Sequence, residues 1–300
     1  MSARFWKRAV WLTIIAIGSV LSVAARHQSP ARTAEQEARL QIREIGDGLY
    51  LIPGFDGTES GGNVAVRVTD EGVVIVDDKF DRSFDFITEQ VRHVTARPIR
   101  YVLNTHHHSD HAGSNGDFIR TAEIVAHENV RANMLRNGQA GAPRLVFSDQ
   151  SAVYLGDAEV RMVHLGRGHT DGDAVVYFPD LKTVHTGDLV VYGPRLDGSA
   201  LTPFWDVANG GSLLEWPATL TRLLALDFDT VIPGHGPLLT REDVRAFRAK
   251  LETVIERVRT GIAGGATRDD IVERVDASDL DWPLPATRLR DAYDELTRAP

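Results

Sequence analysis

One stretch of eight residues, Asn104-Thr105-His106-His107-His108-Ser109-Asp110-His111, limits what this chain can fold into more than any other. Four imidazoles and a carboxylate this close together need a common partner or a place at the surface. The stretch follows a short apolar segment, residues 99–103, introduced by Pro98. Before it, Phe84, Ile87, Val91 and Val94 recur with helical spacing over residues 84–95. Another apolar run, residues 73–77, precedes that helix, so the pattern is a β-α-β step. In such architectures ligands and chemistry sit in the loops at strand ends. His106 and His108 alternate, which on extended backbone places both side chains on one side, able to hold one ion. Asp110 and His111 come one turn later and can face a second position beside it.

Taken alone, that cluster favours a metal site, with a solvated surface patch as the alternative. Three further motifs at expected strand ends decide between them: Gly168-His169-Thr170, Thr186-Gly187-Asp188 and Pro233-Gly234-His235-Gly236. Each carries a ligand-type residue beside a glycine that permits a tight backbone turn. Around them the chain is organised as two strand-rich halves. Strands are expected at 40–45 and 49–52 around Gly46-Asp47-Gly48, and at 63–68 and 73–77 around Asp70-Glu71-Gly72, both hairpin signals. Residues 54–62 are too glycine-rich for a regular element and are a candidate flap carrying Phe55. Downstream, strands are expected at 123–126, 151–155, 159–165, 174–178, 183–185 and 230–232. Helices are expected at 128–137, 213–226, 241–262 and 268–275. Two such halves imply two facing sheets with helices outside.

The ends and the composition narrow the class further. Arg4, Lys7 and Arg8 precede an apolar run over residues 9–25 that ends in Val23-Ala24-Ala25, the layout of a signal peptide cleaved near Ala25, with an uncleaved anchor as the alternative. We therefore expect an exported, periplasmic protein without stable membrane insertion after cleavage, with residues 26–39 as a polar tether, 40–239 as the main domain and 240–300 as a helical extension. Removing three cations from a chain of net charge −9 leaves −12. So acidic a body lacks the basic footprint that nucleic acid requires. The chain has no cysteine, which excludes disulfides, catalytic thiolates and cysteine-ligated metals.

The ordered set His-x-His-x-Asp-His, Gly-His-Thr, Gly-Asp and Pro-Gly-His-Gly resembles the metallo-β-lactamase superfamily over residues 41–239. The resemblance implies an α/β fold, a four-layer αββα sandwich with C-terminal helices, and metals in a groove at one edge. Carried over position by position, it makes His106, His108 and His169 ligands of a first metal, Asp110, His111 and His235 ligands of a second, and Asp188 a bridge. Imidazole and carboxylate suit zinc, with iron or manganese as alternatives. Two such ions about 3.5 to 4 Å apart could share a hydroxide that attacks a small-molecule carbonyl, with Asp110 orienting it. The expected substrates are a β-lactam, lactone, ester or thioester.

Within the superfamily the motifs are similar to the zinc β-lactamases that carry a ligand cysteine, but this chain has Asp188 at that position. Val191 stands where those enzymes place a lysine for the antibiotic carboxylate. Arg195 is either a replacement or a solvated charge, and Asn209 either a substrate contact or a turn residue. A persulfide dioxygenase-like iron protein and an accessory factor in periplasmic cofactor metabolism are the competing readings. His107 is expected to point away from the ions, and His185 to sit behind them or in a sheet. His127 and His164 are expected to be structural. Phe204 and Trp205 either line an apolar substrate wall or pack against the flap. Oligomeric state is left open.

Overall fold

In a computed structural model, residues 40–54, 60–194 and 200–298 are described. The signal-peptide and tether readings, Phe55 and Arg195 lie outside them. All of the described residues belong to one unit.

The first sheet has seven strands in sequence order: β1 (Arg43–Gly46), β2 (Leu49–Ile52), β3 (Val64–Val68), β4 (Val73–Val76), β5 (Ile99–Leu103), β6 (Glu123–His127) and β7 (Leu145–Phe147). The two glycine-containing turns make β1 to β4 antiparallel. Helical crossovers, the first over Phe84–Val94, make β4 to β7 parallel. The second sheet has the order β13-β12-β11-β10-β9-β8, with β8 (Gln150–Leu155), β9 (Ala158–Val163), β10 (Val175–Phe178), β11 (Thr183–Val191), β12 (Thr230–His235) and β13 (Leu239–Thr240). Its one parallel pair, β11 and β12, is bridged by the helix Trp216–Leu223.

The alternation of side chains along each strand sorts the apolar residues into layers. Ala65, Val74 and Val76 of the first sheet share an apolar cluster with Val160, Met162, Val176 and Phe178 of the second, so these faces meet in the middle. The alternate residues Val64, Val66, Val73 and Ile75 pack outward on Ile87 and Val91 of the helix Phe84–Val94 and on Phe118. On the far side, Val184, Val190 and Val231 pack on the helices Trp216–Leu223 and Arg241–Ala263. The result is the αββα sandwich that the sequence implied. The C-terminal helices cover the second sheet: Val244, Leu251 and Val258 of Arg241–Ala263 are fully buried in its outer cluster. No helix among the described residues is long and apolar enough to cross a membrane.

Several expected boundaries moved. β11 runs to Val191 instead of ending at His185, with its register to β12 shifting on either side of Gly187, so Asp188 sits inside an irregular strand. His106 and His108 lie in the loop after β5, which ends at Leu103. The helix expected at 213–226 begins only at Trp216, because Ser212, Leu213 and Leu214 are held by the Glu295 carboxylate. The helix at 268–275 shrinks to Ile271–Arg274, its first turn replaced by a turn in which Asp270 accepts from the Thr267 amide. β7 and the helix Ala286–Arg298 were not anticipated.

Replacing Leu251, at 0% exposure, with alanine deletes three heavy atoms from a packed interface. The expected cost is about 2–5 kcal/mol, read as a lowered urea midpoint with an unchanged slope. A loss below about 0.5 kcal/mol would mean the extension is not part of the folding unit.

Candidate metal centre

Three backbone ends converge where the two sheets meet. β4 finishes at Val76, and the next residue, Asp77, has a φ of 63° that turns the chain sharply. Such a conformation in a non-glycine residue persists only where its surroundings enforce it. Here the Asp77 amide donates to Leu103 O at 2.9 Å, and its carboxylate accepts from the Thr105 amide (2.7 Å) and hydroxyl (2.8 Å). The loop after β5 is thereby fixed, and its ligand motif winds into the one-turn helix Ser109–Ala112 with His108 as its N-cap. Gly62 N–H binds Asp110 O at 2.9 Å and Asn63 N–H binds Gly234 O at 2.7 Å, tying the stem of the glycine-rich loop to this helix and to β12.

The sequence-derived ligand set comes together as two adjoining groups. In the first, His108 Nδ1 stands 2.8 Å from His169 Nε2, with the His106 ring centroid within 4.9 Å of both of their rings. In the second, His111 Nε2 is 3.2 Å from His235 Nε2, and Asp110 Oδ2 is 3.2 Å from His235 Nε2. Asp188 spans them: Oδ1 lies 3.2 Å from His111 Nε2, while Oδ2 lies 3.6 Å from His169 Nε2. These residues include the sets His106/His108/His169, His106/His111/Asp188 and Asp110/His111/His235, each compact enough to share an ion.

Proton bookkeeping tests whether the set fits a metal. His111 Nδ1 faces Asp77 Oδ2 at 2.7 Å, His108 Nε2 faces Asp206 Oδ2 at 3.0 Å, and His169 Nδ1 faces the Phe204 carbonyl. His106 Nδ1 donates to the Thr105 hydroxyl at 3.1 Å, since that hydroxyl gives its own proton to Asp77. With those four nitrogens as donors, the opposite nitrogens carry lone pairs. The lone pairs of His108 and His169 then oppose each other at 2.8 Å, and His106 Nε2 is buried with no hydrogen-bond partner. Such an arrangement repels unless a cation lies between the donors. A tetrahedral ion with bonds of 2.0–2.1 Å would set its nitrogens about 3.3 Å apart, close to the spacings observed. The residues fit a metal.

Electrostatics agrees. Burial and the neighbouring imidazoles push His106 well below the ordinary histidine range, and burial brings His169 down to about 4, keeping both rings neutral. Burial opposes ionisation of Asp188, but His235, His111 and His169 outweigh it and hold the carboxyl well below its usual range. Asp110 is lowered in the same way, against burial, by His111 and His235. His111 alone is raised: burial lowers it, but Asp188, Asp110 and Asp77 prevail. Neutral His106 and His169 with ionised Asp110 and Asp188 form an electron-rich donor set, and the carboxylates that raise His111 favour a cation beside it.

Two glycines are required by close approach. A Cβ on Gly234 would lie 1.9 Å from Asp188 Oδ1, and one on Gly62 would lie 2.2 Å from His111 Cε1. Other sequence readings resolve as follows. His107, expected to point away from the ions, is buried beside the first group with its ring 4.6 Å from that of His108 and both ring nitrogens lacking a hydrogen-bond partner, and it forms a further compact set with His108 and Asp206. His185 is a satisfied sheet residue, donating from Nε2 to Asn63 O at 3.1 Å and accepting at Nδ1 from the Gly187 amide. His127 and His164 stack at 4.1 Å, and His127 caps a helix by accepting from the Asn129 amide. Asn209 bonds Arg136 and Asp206 at the end of a short turn. Trp205 is wholly buried and is not among the residues lining the cavity over the ligand set. Asp77, Asp206 and the Phe204 carbonyl escaped the sequence reading. An aspartate closing an apolar strand was the only signal for Asp77, and the other two had none.

Above the ligand set opens a cavity of about 320 Å³. Its floor holds His108, Asp110, His169, Asp188 and His235, and its wall holds Val191, Leu201, Thr202 and Phe204. No lysine or arginine among the described residues lines it.

Comparison with known proteins agrees with this architecture. The description of the metallo-beta-lactamase superfamily matches residues 57–235, and the chain belongs to that superfamily. It is 26% identical over 243 residues to the 2,4-dinitroanisole O-demethylase subunit alpha of Nocardioides sp. (strain JS1661), covering 78% of this chain and 67% of that one. It is 23% identical over 195 residues to a type 2 metallo-beta-lactamase of Elizabethkingia meningoseptica, covering 64% and 75%. A metallo-beta-lactamase from Pontibacter korlensis shares the fold, with a TM-score of 0.61 at 21% identity, covering 71% of this chain and 99% of that one. Relatives include hydrolases by name, among them a linear primary-alkylsulfatase of Pseudomonas sp. (strain ATCC 19151), 25% identical over 261 residues, covering 68% of this chain and 48% of that one.

The Gly234→Ala variant should lose metal, because the added methyl meets the Asp188 carboxylate and the backbone of Gly187 and Asp188. Elemental analysis after dialysis is expected to show metal per chain reduced to half or less. A full complement would mean Asp188 does not hold the ions.

Proposed function

We propose that this protein is an exported, dinuclear zinc-dependent hydrolase that cleaves an ester or lactone bearing an apolar group. The observation that carries the reading is Asp188 set between two three-residue ligand groups, at the floor of a cavity whose wall is apolar. When bound, two divalent ions supply Lewis acidity and lower the pKa of a water to about 7.

The chain's own residues do the rest. Asp110 is partly exposed, with 15% side-chain accessibility, and stays ionised beside His111 and His235. Its carboxylate can accept a proton from an attacking water and hold that water in line. His235, opposite Asp110 across 3.2 Å, keeps that carboxylate on the side of the second group. Val191, Leu201 and Phe204 face the substrate and exclude water from its apolar portion. Export rests on the charged start and apolar run of residues 1–25.

The composition of the wall favours the reading of ester or lactone cleavage over β-lactam cleavage. A β-lactam antibiotic carries a carboxylate that calls for a cation, and Val191 occupies the position expected to supply one. The O-demethylase and alkylsulfatase relatives make aryl ethers and alkyl sulfates worth including in the same test.

The zinc-loaded protein should hydrolyse an aryl ester or aromatic lactone with kcat/KM at least about tenfold above a chromogenic cephalosporin. Asp110→Ala should remove that turnover while circular dichroism stays unchanged. A cephalosporin preference would refute the substrate assignment, and retained turnover in Asp110→Ala would refute the role of Asp110. One iron per chain with oxygen consumption would replace hydrolysis by oxidation.

A further inference from the structure

The helix Ala286–Arg298 lies beyond the residues shared with the superfamily, which end at His235. Two of its side chains reach back to the segment 204–214, and both paths end on His169. Arg288 Nη1 donates to Trp205 O at 2.8 Å, and its guanidinium lies 4.3 Å over the Phe204 ring. On either side of that carbonyl are the groups that orient the first triad. Phe204 O accepts from His169 Nδ1, the Asp206 amide donates to His169 O at 2.8 Å, and the Asp206 carboxylate accepts from His108 Nε2.

Glu295 makes the second path. Its carboxylate accepts from the Ser212 hydroxyl and from the amides of Leu213 (3.0 Å) and Leu214 (3.4 Å). The Ser212 amide in turn donates to Gly168 O at 2.9 Å, next to His169. An ionised carboxylate accepting three hydrogen bonds, and an arginine stacked on an aromatic ring, are rigid attachments for a segment with no regular structure beyond one short turn.

We infer that Arg288 and Glu295 are positioning residues for the group His106/His108/His169, acting through the segment 204–214. The inference rests on the reading of that group as a metal site. Groups that hold ligands in place are worth 10- to 100-fold in metal affinity, and these two act one step further out. The second group is held differently, by Asp77 on His111 and by the glycine-rich stem on Asp110 and β12. Loss of the helix contacts should therefore weaken one site and spare the other.

The test is zinc affinity at each site of the full chain, measured by competition with a chromogenic chelator, with His169→Ala and His235→Ala assigning the two steps. In Arg288→Met and Glu295→Gln the first-group Kd should rise about tenfold, while the second-group Kd stays within about threefold. The visible spectrum of the cobalt(II) form should change in the band that His169→Ala removes. Arg288→Lys should recover part of the loss. Equal weakening of both sites, or no change at either site in folded variants, would overturn the inference. If Arg288→Met does not fold, the isosteric Glu295→Gln decides alone. A wild-type chain that binds no zinc would overturn the metal-site reading and this inference with it.

Discussion

The constraint on which the rest of the structure depends is a set of imidazole lone pairs forced to face one another in a buried space. His108 Nδ1 and His169 Nε2 stand 2.8 Å apart, and His106 Nε2 beside them is buried without a hydrogen-bond partner. Without a cation such contacts repel, and each neutral ring would turn away if it were free. The fold denies that freedom by engaging the opposite nitrogen of four rings. Asp77 holds His111 directly and His106 through Thr105, Asp206 holds His108, and the Phe204 carbonyl holds His169. Asp77 adopts a left-handed backbone conformation to do so. That conformation costs of order 1–3 kcal/mol, offset by the sheet and loop hydrogen bonds that enclose it.

The architecture explains how residues from distant positions reach one place. A parallel pair of strands needs a crossover, so β4 and β5 in one sheet, and β11 and β12 in the other, present their ends on the same edge. Asp77 and the His-rich loop come from the first pair, Asp188 and His235 from the second. The close fit is visible in what is absent: no side chain at 62 or 234, where a methyl would meet His111 or Asp188. Aspartate at 188 adds what a thiolate cannot, two oxygens that address both groups at once.

How much of this could be read from the amino-acid sequence followed from range. The hairpin turns, the helix Phe84–Val94 and all seven residues of the ligand set carry local signals, either apolar period or motif spacing, and the sandwich followed from them. The alternation argument for His106 and His108 assumed extended strand, whereas both lie in the loop after β5 and turn different ring nitrogens, Nε2 and Nδ1, toward the first group. The residues that orient the ligands were invisible because their partners are far away in the chain: Asp206 meets His108 across 98 positions. Trp205 illustrates the opposite case. Adjacent to Phe204, it shares the same two readings, wall or packing, yet neighbouring residues in irregular backbone face opposite ways, so Trp205 is buried and Phe204 reaches the cavity.

The central claim is that two ions sit side by side over Asp188. Anomalous-difference X-ray maps collected on either side of the zinc edge, from crystals of protein purified without a metal-binding tag, test it most directly. The account predicts two zinc peaks about 3.5 to 4 Å apart, one among His106, His108 and His169, the other among Asp110, His111 and His235, with an Asp188 oxygen toward each. A single peak, a peak at another element's edge, or none at these residues would contradict it.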